Sequence, residues 1–262
     1  MLECVVNVSE GRDRTVLDLL VDSVGADLLD LHSDPHHHRS VFTLVGTDAP
    51  RRLARVATRM LDLRDHDGVH PRLGAVDVVP FVPLEGATMD DAVRARDEFA
   101  RWAAEELGVP CFLYGSERTL PEVRRRAWHD LAPDTGAPAH PTAGAMCVGA
   151  RELLVAYNVW LEGADLVRAR EVARLVRGPH LRALGLQLGD RVQVSMNLIA
   201  PDRVGPDAAR DAVAAHTTVA GCELVGLVPE AVLGNIPRPR WAELDLREES
   251  TIEYRLKARP RA

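Results

Sequence analysis

The chain has 262 residues, 46% of them hydrophobic and 27% charged, with a formal net charge of −7 and a pI near 5.8. This is the balance of a globular chain long enough for one large core or two small ones. It excludes a disordered polyelectrolyte, and no lysine–arginine block forms a basic stripe, so nothing favours a nucleic-acid partner.

In chain order, residues 2–8 read as a strand and 13–24 as a helix with Val16, Leu19, Leu20 and Val24 on one face. Strands follow at 27–31 and 41–45, joined by the polar, turn-like stretch Ser33-Asp34-Pro35-His36-His37-His38-Arg39. Pro50 opens a second helix whose apolar face is Leu53, Val56, Ala57, Met60 and Leu61. Residues 76–82 form an apolar run of strand length. Thr88 with Asp91 makes a capping box for a helix carrying Ala92, Ala95, Phe99, Trp102 and Ala103, and Gly108 and Pro110 stop it. A strand at 111–114 precedes a stretch, 116–144, that is richer in Pro, Gly and charge. That stretch reads as loop with a short helix near 120–127.

A second cycle follows: strand 153–161, helix 164–176, strand 192–199, helix 206–216, strand 223–228 and a last edge strand at 251–256. The chain therefore reads as two α/β units, 1–150 and 151–262, each a sheet covered by helices. They resemble each other in element order alone, with no repeat at the level of residues. No GxGxxG and no phosphate loop is present, so a nucleotide fold is not supported. Cys4, Cys111, Cys147 and Cys222 form no CxxC pair and lie in or beside apolar runs, which predicts buried free thiols in a reducing compartment, the cytoplasm. The start of the chain lacks the basic-then-apolar order of a signal peptide, and no apolar run approaches the roughly 20 residues of a membrane helix, so no membrane partner is expected.

Chemistry concentrates in a few segments. In Gly68-Val69-His70-Pro71-Arg72-Leu73-Gly74-Ala75-Val76-Asp77, Pro71 biases His70 toward extended backbone at the mouth of an apolar strand. That is a stiff mount for a general base, and a solvated loop histidine is the other reading. In the stretch from His32 to Arg39, adjacent side chains of an extended chain point to opposite faces, so at most His36 and His38 converge. A polar substrate loop with Arg39 near an anion fits that stretch better than a metal site does. The alternation of Gln193-Val194-Ser195-Met196-Asn197 puts Gln193, Ser195 and Asn197 on one strand face, a set of amide, hydroxyl and amide suited to a heterocycle's edge or to water.

With these segments in order, the chain resembles the formiminotransferase domain, found as the amino-terminal half of formimidoyltransferase-cyclodeaminase and as a stand-alone bacterial enzyme. The resemblance rests on Glu3-Cys4-Val5-Val6-Asn7-Val8-Ser9-Glu10-Gly11-Arg12, on Asp34-Pro35 through Arg39 to Gly46, and most specifically on His70-Pro71-Arg72-Leu73-Gly74-Ala75-Val76-Asp77. Leu113-Tyr114-Gly115, Gly149-Ala150-Arg151 with Tyr157-Asn158, the Gln193–Leu198 run, Glu223 to Pro229 and Thr251-Ile252-Glu253-Tyr254-Arg255 follow in the same order. It implies two ferredoxin-like α/β subdomains with a folate groove between them, a catalytic histidine at His70, tetrahydrofolate as co-substrate without a metal, and a homodimer acting in histidine catabolism. Substrate and folate contacts are carried over to Asp34, His37, Arg39, Arg72, Asp77 and Arg151, and to Gln193, Ser195 and Asn197. The chain differs from the family pattern at Val6, usually proline; at His32, where the vertebrate form has aspartate; and at His36 to His38, usually Asp-His-Asn. It is also shorter between Arg118 and Gly136, and no cyclodeaminase half is expected.

That activity moves an amidine carbon from an amino-acid nitrogen to N5 of the folate. N5 loses a proton and the leaving amine gains one, and a single imidazole titrating near neutrality can serve both transfers. The electrophile is an amidinium, so a carboxylate suits it better than an oxyanion hole; Asp34 and Asp77 are candidates, with Arg39, Arg72 and Arg151 as anchors for substrate carboxylates. Other folate one-carbon chemistry (formyl transfer or 5-formyltetrahydrofolate cyclisation) and a non-catalytic folate-binding protein are the alternatives.

Overall fold

The computed structural model describes residues 1–68 and 71–259, and the chain divides into two compact units, Met1–Glu152 and Leu153–Ala262. In the first, β1 (Leu2–Val8), α1 (Arg14–Val24), β2 (Leu28–Asp34), β3 (Arg39–Val45), α2 (Asp48–Met60) and β4 (Val76–Pro83) form a βαββαβ unit. It continues through α3 (Met89–Glu106), β5 (Cys111–Tyr114), α4 (Leu120–Arg126) and β6 (Met146–Ala150). The sheet order is β2-β3-β1-β4-β6-β5. β1 is antiparallel to both β3 and β4, whereas β6 runs parallel to β4 and β5.

The second unit repeats the motif with β7 (Val155–Leu161), α5 (Leu166–Val176), β8 (Leu181–Leu188), β9 (Arg191–Leu198), α6 (Pro206–Ala214) and β10 (Val219–Val225). Its order, β10-β7-β9-β8, is antiparallel throughout. Numbered within each motif, the strands lie in the order 4-1-3-2 in both units, the ferredoxin-like arrangement. α7 (Glu230–Gly234) and α8 (Ile252–Ala258) follow. Among the described residues no helix is long and apolar enough to cross a membrane.

Local signals account for much of this. The Asp13 carboxylate accepts the Thr15 and Val16 N–H groups at the start of α1. Capping boxes begin α3 at Thr88 and Asp91, and α4 at Thr119 and Glu122. The strand pleat then sorts the side chains. Cys4, Val6 and Val8 of β1 join Leu17 and Leu20 of α1 and Leu53 of α2 in the main core. On the other face α4 closes a smaller core of Val78, Phe112, Tyr114, Val123, Ala127, Ala145 and Cys147. The four cysteines are unpaired; Cys4, Cys111 and Cys147 are buried and Cys222 half-buried.

Three elements depart from the sequence reading. Residues 251–256 are not an edge strand: Thr251 Oγ1 accepts the Tyr254 N–H and starts α8. The Ile-Tyr-Leu alternation there misleads because Ile252 is buried while Tyr254 is exposed. β8 and β6 form where the sequence pattern suggests no strand. β8 is an edge strand carrying exposed Arg182 and Leu184, with Gly185 and Gln187 interrupting the apolar pattern. β6 is a five-residue strand holding two small residues, too short to show a period.

Candidate active site

A β-bulge sets the centre of the first unit. Asn7 lies opposite Val78 and Val8 opposite Val76, so Asp77 is the extra residue of β4. Its carboxylate is fully buried. Oδ2 accepts from Arg39 Nη1 and from Arg124 Nη2, each at 2.6 Å. Oδ1 accepts the Leu73 N–H at 2.8 Å and a longer contact from Arg124 Nη1 at 3.4 Å. Burial works against the Asp77 charge, but the two guanidinium groups and the Leu73 N–H outweigh it and hold the carboxyl down at about 2. The cluster carries two cations and one anion. Arg39 Nε also donates to Asn7 Oδ1 at 3.0 Å, and Arg124 Nη1 to the Pro71 carbonyl at 2.9 Å.

A second cluster joins three loops. Glu10 Oε1 accepts the N–H groups of Gly11, Arg12 and Asp13 at 2.8, 2.7 and 2.9 Å. It lies 3.4 Å from His38 Nδ1, which itself accepts the Gly11 N–H at 3.1 Å. The His38 ring stacks on His66, with centroids 4.2 Å apart and planes 21° apart. His66 Nδ1 accepts the Gly68 N–H at 3.1 Å, which leaves the proton on Nε2 to be donated to the His38 carbonyl at 3.0 Å. Gly68 is required by this approach: a Cβ there would lie 2.5 Å from the His66 ring and 2.6 Å from the His37 carbonyl. Arg12 ties the same loops, donating from Nε to the Pro35 carbonyl at 2.8 Å and from Nη1 to Asp67 at 2.5 Å. Burial, above all, lowers the pKa of both His38 and His66.

His70 and its neighbour Val69 lie outside the described residues, but the chain on both sides is held. Arg72 turns back to donate to the Gly68 carbonyl at 2.7 Å and the His66 carbonyl at 2.9 Å. Asp34 serves its own hairpin: Oδ1 accepts the His36 and His37 N–H groups at 2.7 and 2.9 Å, and Oδ2 meets His37 Nδ1 at 2.9 Å. Burial opposes that charge, and the bonds from His37 and His36 prevail, holding Asp34 at about 2. Arg151 donates to the Glu152 carbonyl at 3.0 Å.

In the second unit Gln193, Ser195 and Asn197 alternate with Val192, Val194, Met196 and Leu198, which face the core under α5 and α6. Ser195 lies opposite Asn158, whose Nδ2 donates to Glu223 at 3.0 Å, and Gln193 lies opposite Trp160. The Gln193 side chain is fully buried, and neither its amide nitrogen nor its oxygen has a hydrogen-bond partner among the described residues. No group of three or more His, Cys, Asp and Glu side chains among the described residues is placed to hold a metal ion.

The structure thus joins Arg39 to Asp77 and His37 to Asp34, turns Arg72 onto its own loop, and aligns the three β9 residues. Sequence reasoning missed Arg124, Glu10, His38 as a stacking partner, and His66. The run Arg124-Arg125-Arg126 at the end of a capped helix was the visible sign of the first, but nothing local says which of the three reaches Asp77. Glu10 belongs to the opening Glu3–Arg12 motif without any mark of a role; His66, between two aspartates, reads as solvated loop.

The chain matches the family model for the formiminotransferase domain, N-terminal subdomain, over residues 1–151. It is 37% identical over 270 residues to a glutamate formimidoyltransferase of Streptococcus pyogenes serotype M1, covering 89% of this chain and 90% of that protein. A glutamate formimidoyltransferase of Thermoplasma acidophilum is 32% identical over 283 residues, with 91% of each chain covered. The formimidoyltransferase-cyclodeaminase of Sus scrofa is 35% identical over 276 residues; these are 87% of this chain and 50% of that protein, so this chain spans about half its length. On the family match and on identity spread over most of its length, the chain belongs to the formiminotransferase family.

Proposed function

We propose that this protein is a glutamate formimidoyltransferase that moves the formimino group of N-formimino-L-glutamate to N5 of tetrahydrofolate. The observation that carries the reading is the likeness to the streptococcal transferase over 90% of that protein's length. The reaction forms a bond from N5 to the amidine carbon and breaks the bond from that carbon to the glutamate nitrogen. His70 takes the N5 proton and returns one to the leaving amine. The donor's carboxylates and the folate tail call for cations, and Arg39, Arg72 and Arg151 are the anchors proposed for them. The buried amide of Gln193, without a hydrogen-bond partner among the described residues, supports a role in reading the pteridine edge, because a ligand with matched donors and acceptors removes the cost of burying an unsatisfied amide.

These residues supply proton transfer and fixed charge, so activity is expected to survive exhaustive chelation. Four unpaired cysteines support a cytoplasmic setting. The test is incubation of the purified protein with formiminoglutamate and tetrahydrofolate, following the folate product by its spectrum. Turnover establishes the transferase. Folate binding without turnover favours the non-catalytic alternative, and a panel of amidine and formyl donors then asks whether the histidines at 36 to 38 have changed the donor.

A further inference from the structure

We propose that Arg124 is a positioning residue of this transferase: from α4 it fixes the turn that follows His70 and so sets the rate of group transfer without holding a substrate. The inference rests on His70 being the proton carrier of the proposed transferase. Arg124 grips that turn twice. Its Nη1 donates to the carbonyl of Pro71, the residue directly after His70, at 2.9 Å. Its Nη2 donates to Asp77 Oδ2 at 2.6 Å, and Asp77 closes the turn by accepting the Leu73 N–H at 2.8 Å. One guanidinium therefore spans the beginning and the end of the segment from Pro71 to Asp77. On the upstream side Arg72 holds the Gly68 and His66 carbonyls.

Three features separate this from an ordinary ion pair. Asp77 is the bulged residue of β4, so its side chain is aimed by an irregularity of the sheet. Arg39 already neutralises the Asp77 charge at 2.6 Å, so charge balance alone does not require a second arginine. The fork geometry of a guanidinium permits two acceptors at a fixed separation, which the ammonium of lysine cannot reproduce. α4 is itself firmly anchored. A capping box starts it, Val123 is buried in the smaller core, and Arg124 follows directly. The sequence separation of 47 residues between Arg124 and Asp77 means that this helix has been brought to the turn by the fold.

A loss of positioning acts on the chemical step, because displacement of a reacting group by about 1 Å costs up to roughly 100-fold in rate. Arg124→Ala is therefore expected to lower kcat by roughly 10- to 100-fold while KM for both substrates stays within about threefold. Arg124→Lys, which keeps the charge, is expected to restore thermal stability but only part of kcat, since it cannot hold both acceptors. Unchanged kcat in Arg124→Ala overturns the proposal. So does a KM for the donor raised about tenfold or more with kcat intact, which would make Arg124 a substrate anchor. If Arg124→Ala does not fold, Arg124→Lys decides on its own: a normal kcat overturns the proposal, and a lowered kcat at normal KM supports it. His70→Ala, assayed alongside, keeps the two ideas apart. Full turnover in His70→Ala removes the reading on which the proposal rests, whereas an inactive His70→Ala beside a fully active Arg124→Ala removes the positioning role alone.

Discussion

His38 and His66 stack face to face at 4.2 Å, and each ring accepts a backbone N–H on Nδ1, from Gly11 and Gly68 respectively. An imidazole that accepts at Nδ1 is neutral, so the arrangement favours the neutral form of both rings. Burial lowers both pKa values; around His38, Arg12 and Arg72 act in the same direction while Glu10 and Asp67 oppose it, and around His66 Arg72 and His38 lower while the bond to the His38 carbonyl and Glu10 raise. A depressed folded value means that the stabilisation is present in full above the unfolded value of about 6.5 and is lost as pH falls through the lowered folded values. The melting temperature is therefore expected to fall from about pH 7 to 5, and the fall is expected to be shallower in His38→Asn, which retains an acceptor but does not titrate. NMR titration of the two imidazoles is the direct check; a value at or above about 6.5 for either ring sinks the argument.

Asp77 faces two guanidinium groups from a fully buried position, so Asp77→Asn removes the buried carboxylate that both of them share. A loss of roughly 3–5 kcal/mol in urea unfolding is expected. The native carboxyl is held at about 2, below its unfolded value, so its contribution is present above about pH 4 and disappears as pH falls toward 2. Asp77→Asn should lack that acid limb. A variant within about 1 kcal/mol of the parent would show that the pair contributes little beyond a hydrogen bond.

Tyr114 lies across β6, and a Cβ on Gly149 would come within 2.2 Å of its ring. Gly149→Ala is expected to cost about 1–3 kcal/mol by overpacking, and the penalty should vanish when Tyr114 is also changed to Ala. The double-mutant cycle is read by urea unfolding. An equal penalty in both backgrounds would assign the strain to another contact.

His70→Ala is expected to lower turnover by roughly 100-fold or more while tetrahydrofolate still binds. Folate affinity by titration and kcat by product formation separate the two effects. Full activity would falsify the assignment of His70 as the proton carrier.

The features legible along the chain are those carried by short-range patterns. The Thr88–Asp91 capping box places a helix start within four residues, and the two-residue period of β9 puts Gln193, Ser195 and Asn197 on one face whatever surrounds them. The ordered motifs determined the family in the same way, since they are read along the chain. Thr251 to Leu256 shows the limit: the alternation is consistent with a strand, and the cap at Thr251 together with the burial of Ile252 makes it a helix. The partners at the site, by contrast, are set by folding. Arg39 and Arg124 meet Asp77 across 38 and 47 residues, and His38 meets His66 across 28. Those meetings depend on the strand order, on one bulge in β4 and on where α4 lands, and no residue type at either end specifies them. A buried carboxylate pulls in whichever cations the fold brings within reach, because leaving it unpaired costs more than any local preference can offset.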